Sequence, residues 1–254
     1  MTATKCASSN TMATGRQARN RRRGLGAGAS SLGLLLVVPL AGATGMARDH
    51  KGKQPAPGPA ITVRVYPYAR LSSADLTAAE NVASRIFKWT GVELTWVDCP
   101  ARSQQARQNP ACQNSNTPTE LSLRLIADFP ELPEPIMGYS VPIPPPQHGY
   151  LVGIALERAR ERLREAPELT LGELLGHVIA HEIGHLLLGT ENHSSSGLMQ
   201  AYWDPRQLQL ALGGLLNFSA RQAEAIRADV QARWRDQASQ GRREVAQAPP
   251  STVP

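Results

Sequence analysis

The chain contains 254 residues, and its 27 basic and 21 acidic side chains give a formal net charge of +6 at pH 7. Six of the basic residues and no acidic one lie within residues 1–47, so the remaining 21 basic residues balance the 21 acidic ones. The neutral remainder excludes a nucleic-acid-binding or membrane-surface protein, which the overall charge suggests. Its basic segment 158–164 is interrupted by glutamates, which is typical of a solvated helix face.

Residues 1–47 have the pattern of a secretory signal peptide. A basic segment precedes the apolar run 32–40 and the small residues 41–43, which is the order of the three regions of such a signal. The apolar run has only nine residues, whereas a retained transmembrane anchor needs roughly twenty. We therefore expect cleavage after Ala43 or Ala47, an exported protein that is secreted or periplasmic, and no stable membrane association after cleavage.

The two cysteines outside the signal peptide, Cys99 and Cys112, are predicted to form a disulfide. Disulfides persist in the oxidising compartments that an exported protein reaches. Closing a loop of about a dozen residues would stabilise the fold by roughly 3 kcal/mol on the chain-entropy model. Free thiols or a pair of metal ligands are the alternatives, but no C-x-x-C spacing favours a metal.

The first ordered elements are predicted after a polar, proline-rich linker at residues 48–60. Apolar residues alternate over 61–66, which indicates a half-buried strand. Helical periodicity follows from a serine cap to Gly91, and a second strand is predicted at 92–97. The intervening helix is long enough for the two strands to pair in parallel.

The middle of the chain is predicted to be mostly irregular. Residues 100–119 show no hydrophobic period and indicate a surface loop, and a third strand is expected at 121–126. Seven prolines within 130–146 predict irregular structure. A last strand is expected at 149–156, and residues 156–165 also suit a helix.

The last third of the chain is predicted to hold two helices. Thr170 and Glu173 have the spacing of a capping box, and the helix that they open ends at Gly189. Residues 219–234 suit an amphipathic helix, and 235–254 are expected to be a disordered tail. The predicted fold is α+β, a mixed twisted sheet packed on two main helices in a single domain at 61–234.

The motif with chemical meaning is H-E-x-x-H in the capped helix. His181 and His185 lie four residues apart, so both imidazoles leave one helix face and can bind one Zn²⁺. The carboxylate of Glu182, next to the first histidine, can reach a water held by the metal and act as its general base. Buried polar groups without a partner are unfavourable in an apolar helix, which argues against an incidental match.

A catalytic zinc needs a third protein ligand and an open position. His193 is the first candidate, because the turn at Gly189 lets the chain reverse towards the metal. Glu191 is the alternative, since carboxylates also bind zinc. The cofactor predicted from these residues is one catalytic zinc ion.

This part of the sequence resembles the metzincin clan of zinc endopeptidases, especially its matrixin-like members. The resemblance spans residues 171–203 and consists of the H-E-x-x-H motif, a glycine, a third histidine and Met199. It implies a zincin-like fold, a zinc ion on three histidines, and a tight turn that places Met199 beneath the metal. An ordinary core methionine is the alternative for Met199.

The spacing departs from the pattern of that clan. There, glycine follows the second histidine by three residues and the third histidine follows it by six. Here Gly189 and His193 follow His185 by four and eight residues, and strict alignment puts Glu191 in the third-ligand position.

The function predicted from these observations is that of an exported zinc metalloendopeptidase. Its partner is a peptide or protein substrate, which the resemblance places along an edge strand, with residues 149–156 as the candidate. Tyr202 is a candidate for contact with the substrate, although packing is the commoner role of such an aromatic. The alternative is a non-proteolytic zinc-binding protein on the same scaffold.

Overall fold

The computed structural model describes five ranges of the chain: residues 59–99, 108–113, 117–133, 135–143 and 147–247. The predicted signal peptide and nearly all of the predicted linker lie outside these ranges. The described residues all belong to one unit with a continuous hydrophobic core.

The first three elements match the predicted strand, helix and strand. Strand β1 (Ala60–Pro67) is followed by helix α1 (Ser73–Thr90) and strand β2 (Glu93–Asp98). The side chain of Ser72 caps the start of α1, and Gly91 ends it with a left-handed φ of 79°. β1 and β2 pair in parallel, as predicted.

The remaining strands complete a mixed sheet in the order β2-β1-β3-β5-β4. β3 (Glu120–Ile126) and β5 (Leu151–Ala155) continue the parallel part, and β4 (Gly138–Ser140) pairs antiparallel with β5. Two predictions were wrong here. Residues 130–146 contain a strand, and the edge strand on this side is β4 rather than 149–156. A three-residue strand between prolines is too short to show a period in the sequence.

Four helices follow the sheet: α2 (Leu156–Leu163), α3 (Leu171–Leu188), α4 (Pro205–Leu212) and α5 (Ala220–Gln247). α2 begins directly after β5, which agrees with the helical alternative for 156–165. α4 was not predicted. α5 corresponds to the predicted amphipathic helix but continues to Gln247, so the prediction of a disordered tail from Arg235 was wrong over that stretch.

The core lies between the sheet and the two long helices α1 and α3, as the α+β prediction with two main helices required. α3 is buried at 15 of its 18 positions. Gly176 permits its close packing on α1, because a Cβ there would lie 2.5 Å from Cβ of Val82. A helix that is so enclosed must give each of its polar side chains a partner or a function.

The predicted disulfide is confirmed, since Cys99 and Cys112 are bonded and their Cα atoms lie 5.5 Å apart. The bridge joins the end of β2 to a short 3₁₀ turn at Pro110–Cys112. Among the described residues, no helix combines the length and the apolar character that crossing a membrane requires.

Candidate metal centre

The helix α3 is fixed at both ends by local interactions. At its start, Thr170 and Glu173 form both hydrogen bonds of a capping box, with 2.8 Å between the backbone N of Thr170 and the Glu173 carboxylate. At its end, Gly189 adopts a left-handed φ of 61°. The chain can therefore turn back along the helix, and it returns His193 to the face that carries His181 and His185.

The three histidines form one cluster. Their ligand nitrogens all lie within 4.8 Å of one another, and Nε2 of His181 is 3.1 Å from Nε2 of His185. Within the described ranges, this is the one group of three or more histidine, cysteine or carboxylate side chains that can hold a metal ion. Glu191, the alternative third ligand, is exposed and lies outside the cluster.

The hydrogen bonds of the rings determine which nitrogens are free to bind a metal. Nδ1 of His181 donates to the carbonyl of Leu198, and Nδ1 of His185 donates to the carbonyl of Thr190, both at 2.8 Å. A carbonyl can only accept, so in a neutral ring the proton resides on Nδ1 and Nε2 carries a lone pair. Nε2 of His193 is buried and has no hydrogen-bond partner. Three convergent nitrogen lone pairs are the donor set that zinc prefers.

The protonation of the histidines is consistent with metal binding. Burial lowers the pKa of His181 to about 3, assisted by the neighbouring imidazoles, and lowers the pKa of His185 to about 4. Burial also lowers the pKa of His193. The rings are therefore neutral near pH 7, as metal binding requires.

Glu182 lies between α3 and the edge strand β4. Its residue is only 6% exposed, and burial raises the pKa of its carboxyl to about 8. The Ser140 hydroxyl opposes this rise, although it lies outside hydrogen-bond geometry. At Gly138, a Cβ would lie 2.8 Å from Cγ of Glu182. The glycine thus leaves space on β4 for the carboxylate.

Met199 lies directly against the histidine-bearing face of α3. A Cβ on Gly184, between the two helical histidines, would lie 2.7 Å from the Met199 sulfur. Met199 is 1% exposed, and its turn contains Gly197 with a φ of 76°. The resemblance implied such a methionine turn beneath the metal site, and the structure places Met199 there.

Trp203 belongs to the site but was not recognised from the sequence. Its Nε1 donates to the carbonyl of Leu198 at 3.2 Å, the same oxygen that accepts from His181. Its ring meets the His181 ring edge-on, with 5.8 Å between centroids. Trp203 therefore helps to hold the first histidine in its orientation. The sequence signal was slight: an aromatic residue shortly after the presumed methionine turn.

Two solved structures are similar to this chain. Archaemetzincin from Methanopyrus kandleri is 14% identical, with a TM-score of 0.43 over 70% of this chain and 99% of that one. Metalloproteinase-II from Bacteroides fragilis is 14% identical, with a TM-score of 0.42 over 69% of this chain and 54% of that one, so the match spans about half of that protein. No protein-family model and no curated protein matches the sequence.

Proposed function

We propose that this protein is an exported zinc-dependent endopeptidase. The observation that carries the proposal is the convergence of three proton-free Nε2 atoms, from His181, His185 and His193, beside the carboxylate of Glu182. A purely structural zinc site is normally closed by four protein ligands. Three histidines next to a cavity with a carboxylate favour a catalytic site.

The three histidines would hold the ion, and their orientation is provided by the protein. A zinc ion bound there supplies Lewis acidity, which acidifies a water ligand and polarises the carbonyl of the scissile bond. The carbonyls of Leu198 and Thr190 fix the rings of His181 and His185 through Nδ1. Such supporting hydrogen bonds typically change metal affinity or activity by 10- to 100-fold.

Glu182 is the proposed general base. Its carboxylate accepts a proton from the attacking water while the water oxygen bonds to the peptide carbonyl carbon. When the C–N bond breaks, the same carboxyl returns the proton to the leaving amine nitrogen. Because Glu182 follows His181 directly and lies against β4, it can face the reacting carbonyl without itself being a ligand.

The substrate is proposed to lie along β4. This strand pairs with β5 on one side, and within the described ranges no strand pairs with its other side. An extended peptide can add to such an edge through main-chain hydrogen bonds. The side chain of Glu182 would then lie beside the added strand.

The alternative function is zinc binding without proteolysis. It is favoured by the small size of the cavity beside Glu182, about 50 Å³, and by the 6% exposure of Glu182 itself. A cleft that admits no peptide would retain the metal and lose turnover.

Metal analysis and peptide cleavage on the same samples distinguish these functions. We expect the mature chain to contain one zinc ion, which is lost in His193→Ala and retained in Glu191→Ala, and to cleave members of a broad peptide library. Glu182→Ala should retain zinc and lose cleavage. Zinc without cleavage in the wild-type protein would favour the binding protein, and a chain without metal would contradict both.

Export is supported by the signal-like N-terminal pattern and by the disulfide. Expression of the full chain followed by cell fractionation and N-terminal sequencing tests it. We expect the mature protein outside the cytoplasm, beginning after Ala43 or Ala47. An uncleaved cytoplasmic chain with free thiols would contradict export but leave the proposed chemistry open.

A further inference from the structure

Helix α2 buries two arginines, although the sequence predicted a solvated helix face for this basic segment. Arg158 and Arg162 lie one turn apart on the same side, and their side chains are 8% and 9% exposed. The alternating residues Arg160 and Arg164 are 38% and 78% exposed. The glutamates thus pair with arginines on the solvent side, and the opposite side of α2 faces the site.

Arg158 holds the segment that leads into the edge strand. Its guanidinium donates to one carboxylate oxygen and four main-chain carbonyls, those of Asp128, Phe129, Leu132, Pro133 and Ile136 respectively. We refer to residues 128–133 and 135–140 as the strand-side wall. Five acceptors around one planar cation fix this wall relative to α2.

Arg162 holds the opposite side. It donates to the carbonyl of Trp203, pairs with Glu165, and lies over the ring of Tyr202 with 4.9 Å to the ring centroid. We refer to residues 196–203 as the turn-side wall, since they follow the histidine cluster through the methionine turn. One helix therefore contacts both walls, through arginines one turn apart.

A cavity of about 50 Å³ lies between these walls, and His181, Glu182 and Arg162 are among its lining residues. The rest of the lining is mainly apolar: Ile136, Met137, Val178, Ala201, Tyr202 and Trp203. The cavity thus extends from the reacting centre to a buried guanidinium. A substrate side chain that enters beside Glu182 would meet Arg162.

We propose that this cavity accepts a short aliphatic side chain next to the scissile bond and that Arg162 is the specificity-determining residue. The inference rests on the proposed peptidase function and deepens it. A water-sized sphere takes roughly 10 to 15 Å³ of such volume, so the cavity holds about three to five heavy atoms. Valine and leucine are of this size, whereas phenylalanine and tryptophan exceed it.

The charge of Arg162 does not make the cavity a site for acidic side chains. One terminal nitrogen pairs with Glu165, the other donates to the Trp203 carbonyl, and the face of the guanidinium covers the Tyr202 ring. An incoming carboxylate would have to displace these partners and leave water for an apolar enclosure. Arg162 therefore acts through its volume, as the end of the cavity.

Binding of peptide hydroxamates tests the inference without turnover. The series carries valine, leucine, phenylalanine, tryptophan or aspartate beside the hydroxamate, and calorimetry on the zinc-loaded mature chain gives each Kd. In the wild-type protein we expect valine or leucine to bind at least about tenfold more tightly than tryptophan. Arg162→Ala should tighten tryptophan binding about tenfold, and Arg162→Met should act in the same direction if the alanine variant is unstable.

Arg164→Ala is the matched control on the same helix, because Arg164 is exposed and should leave every Kd unchanged. An unchanged ranking in the folded Arg162 variants would overturn the inference, as would aspartate as the best wild-type ligand or no binding by any member. Cleavage is measured separately on a library varied at the same position. Ranked binding without cleavage overturns only the proposed function, and cleavage without a size preference overturns only this inference.

Discussion

The two walls of the cleft are built in different ways. On the turn-side wall and α3, the partners are close in sequence: the helical histidines are four residues apart, and His193 follows within eight. The strand-side wall depends on Arg158, whose acceptors lie 22 to 30 residues earlier in the chain. The first region can be recognised from a motif, whereas the second becomes visible only when the chain is folded.

The comparison assigns chemistry to the first region and substrate positioning to the second. Removing the general base should have the largest effect. We expect Glu182→Gln to lower kcat by about 10²- to 10⁴-fold, the usual contribution of a positioned acid–base group, while the zinc content stays at that of the wild type. Steady-state kinetics with a library-derived peptide and elemental analysis measure both.

The exposed Glu191 provides the control for that change, since Glu191→Gln should cleave and bind zinc like the wild type. A Glu182→Gln protein with normal kcat would show that the carboxylate has no role in proton transfer.

Removing the brace of the strand-side wall should have the next largest effect. In Arg158→Met, four main-chain carbonyls lose their donor. We expect a loss of about 2 to 4 kcal/mol in the free energy of opening this segment, and a raised KM with zinc retained. Hydrogen exchange of residues 128–133 and 135–140 measures the opening.

Chemical rescue makes this prediction specific to the cation. Low millimolar guanidinium should restore part of the lost KM in Arg158→Met, because the vacated acceptors match a planar cation, and should not affect the wild type. The exposed Arg164→Met is the matched control. Loss of zinc together with KM would show that the two walls do not act separately.

A methyl group on β4 should have a smaller effect on the contact between the two regions. The Cβ of Gly138→Ala would lie 2.8 Å from Cγ of Glu182, so the carboxylate must shift. We expect kcat to fall about 10- to 100-fold, which corresponds to an overpacking strain of about 1 to 3 kcal/mol. Zinc affinity should remain unchanged in a competition titration with a chelator.

Gly213→Ala is the control for this substitution, since no atom would approach its Cβ closer than 3.6 Å and its φ is −77°. Equal kcat values in the two variants would mean that Glu182 has room to move without loss.

The sequence predicted the parts of the fold that local patterns specify. Alternation in β1 and β3, the serine cap of α1 and the capping box of α3 each act within a few residues, and the structure has all of them. α4 was missed although Asp204 and Gln207 form a capping box around Pro205. That signal was present in the sequence and could have been found.

Other features have no local signal. β4 has only three residues, and its position at the edge depends on pairing with β5. Burial of Arg158 and Arg162 depends on acceptors in distant segments, so a charge pattern read along one helix suggested a solvated face. The turn at Gly189 indicated that His193 returns to the helix, but its convergence with the other rings could be seen only in three dimensions.

The smallest expected effect lies outside both walls, in the carboxyl pair of Glu80 on α1 and Asp98 at the end of β2. Burial raises the pKa of Glu80 to about 7, helped by the charge of Asp98 and a hydrogen bond to it. One Glu80 oxygen is buried without a hydrogen-bond partner among the described residues. The folded state thus binds a proton that the unfolded chain, with an ordinary pKa near 4.5, releases.

Because the folded pKa is the higher one, the stabilisation from protonated Glu80 is complete below about pH 4.5 and is lost as the pH rises to about 7. Glu80→Gln keeps the neutral form at every pH. We expect it to be more stable than the wild type by about 1 to 2 kcal/mol at pH 8, discounted for the partial exposure of the carboxyl, and equal at pH 4.5. Urea unfolding at both pH values measures the difference. Asp98→Asn should narrow the same gap, and kcat should not change in either variant, since neither residue lines the cleft. A constant difference across pH would show that Glu80 titrates normally.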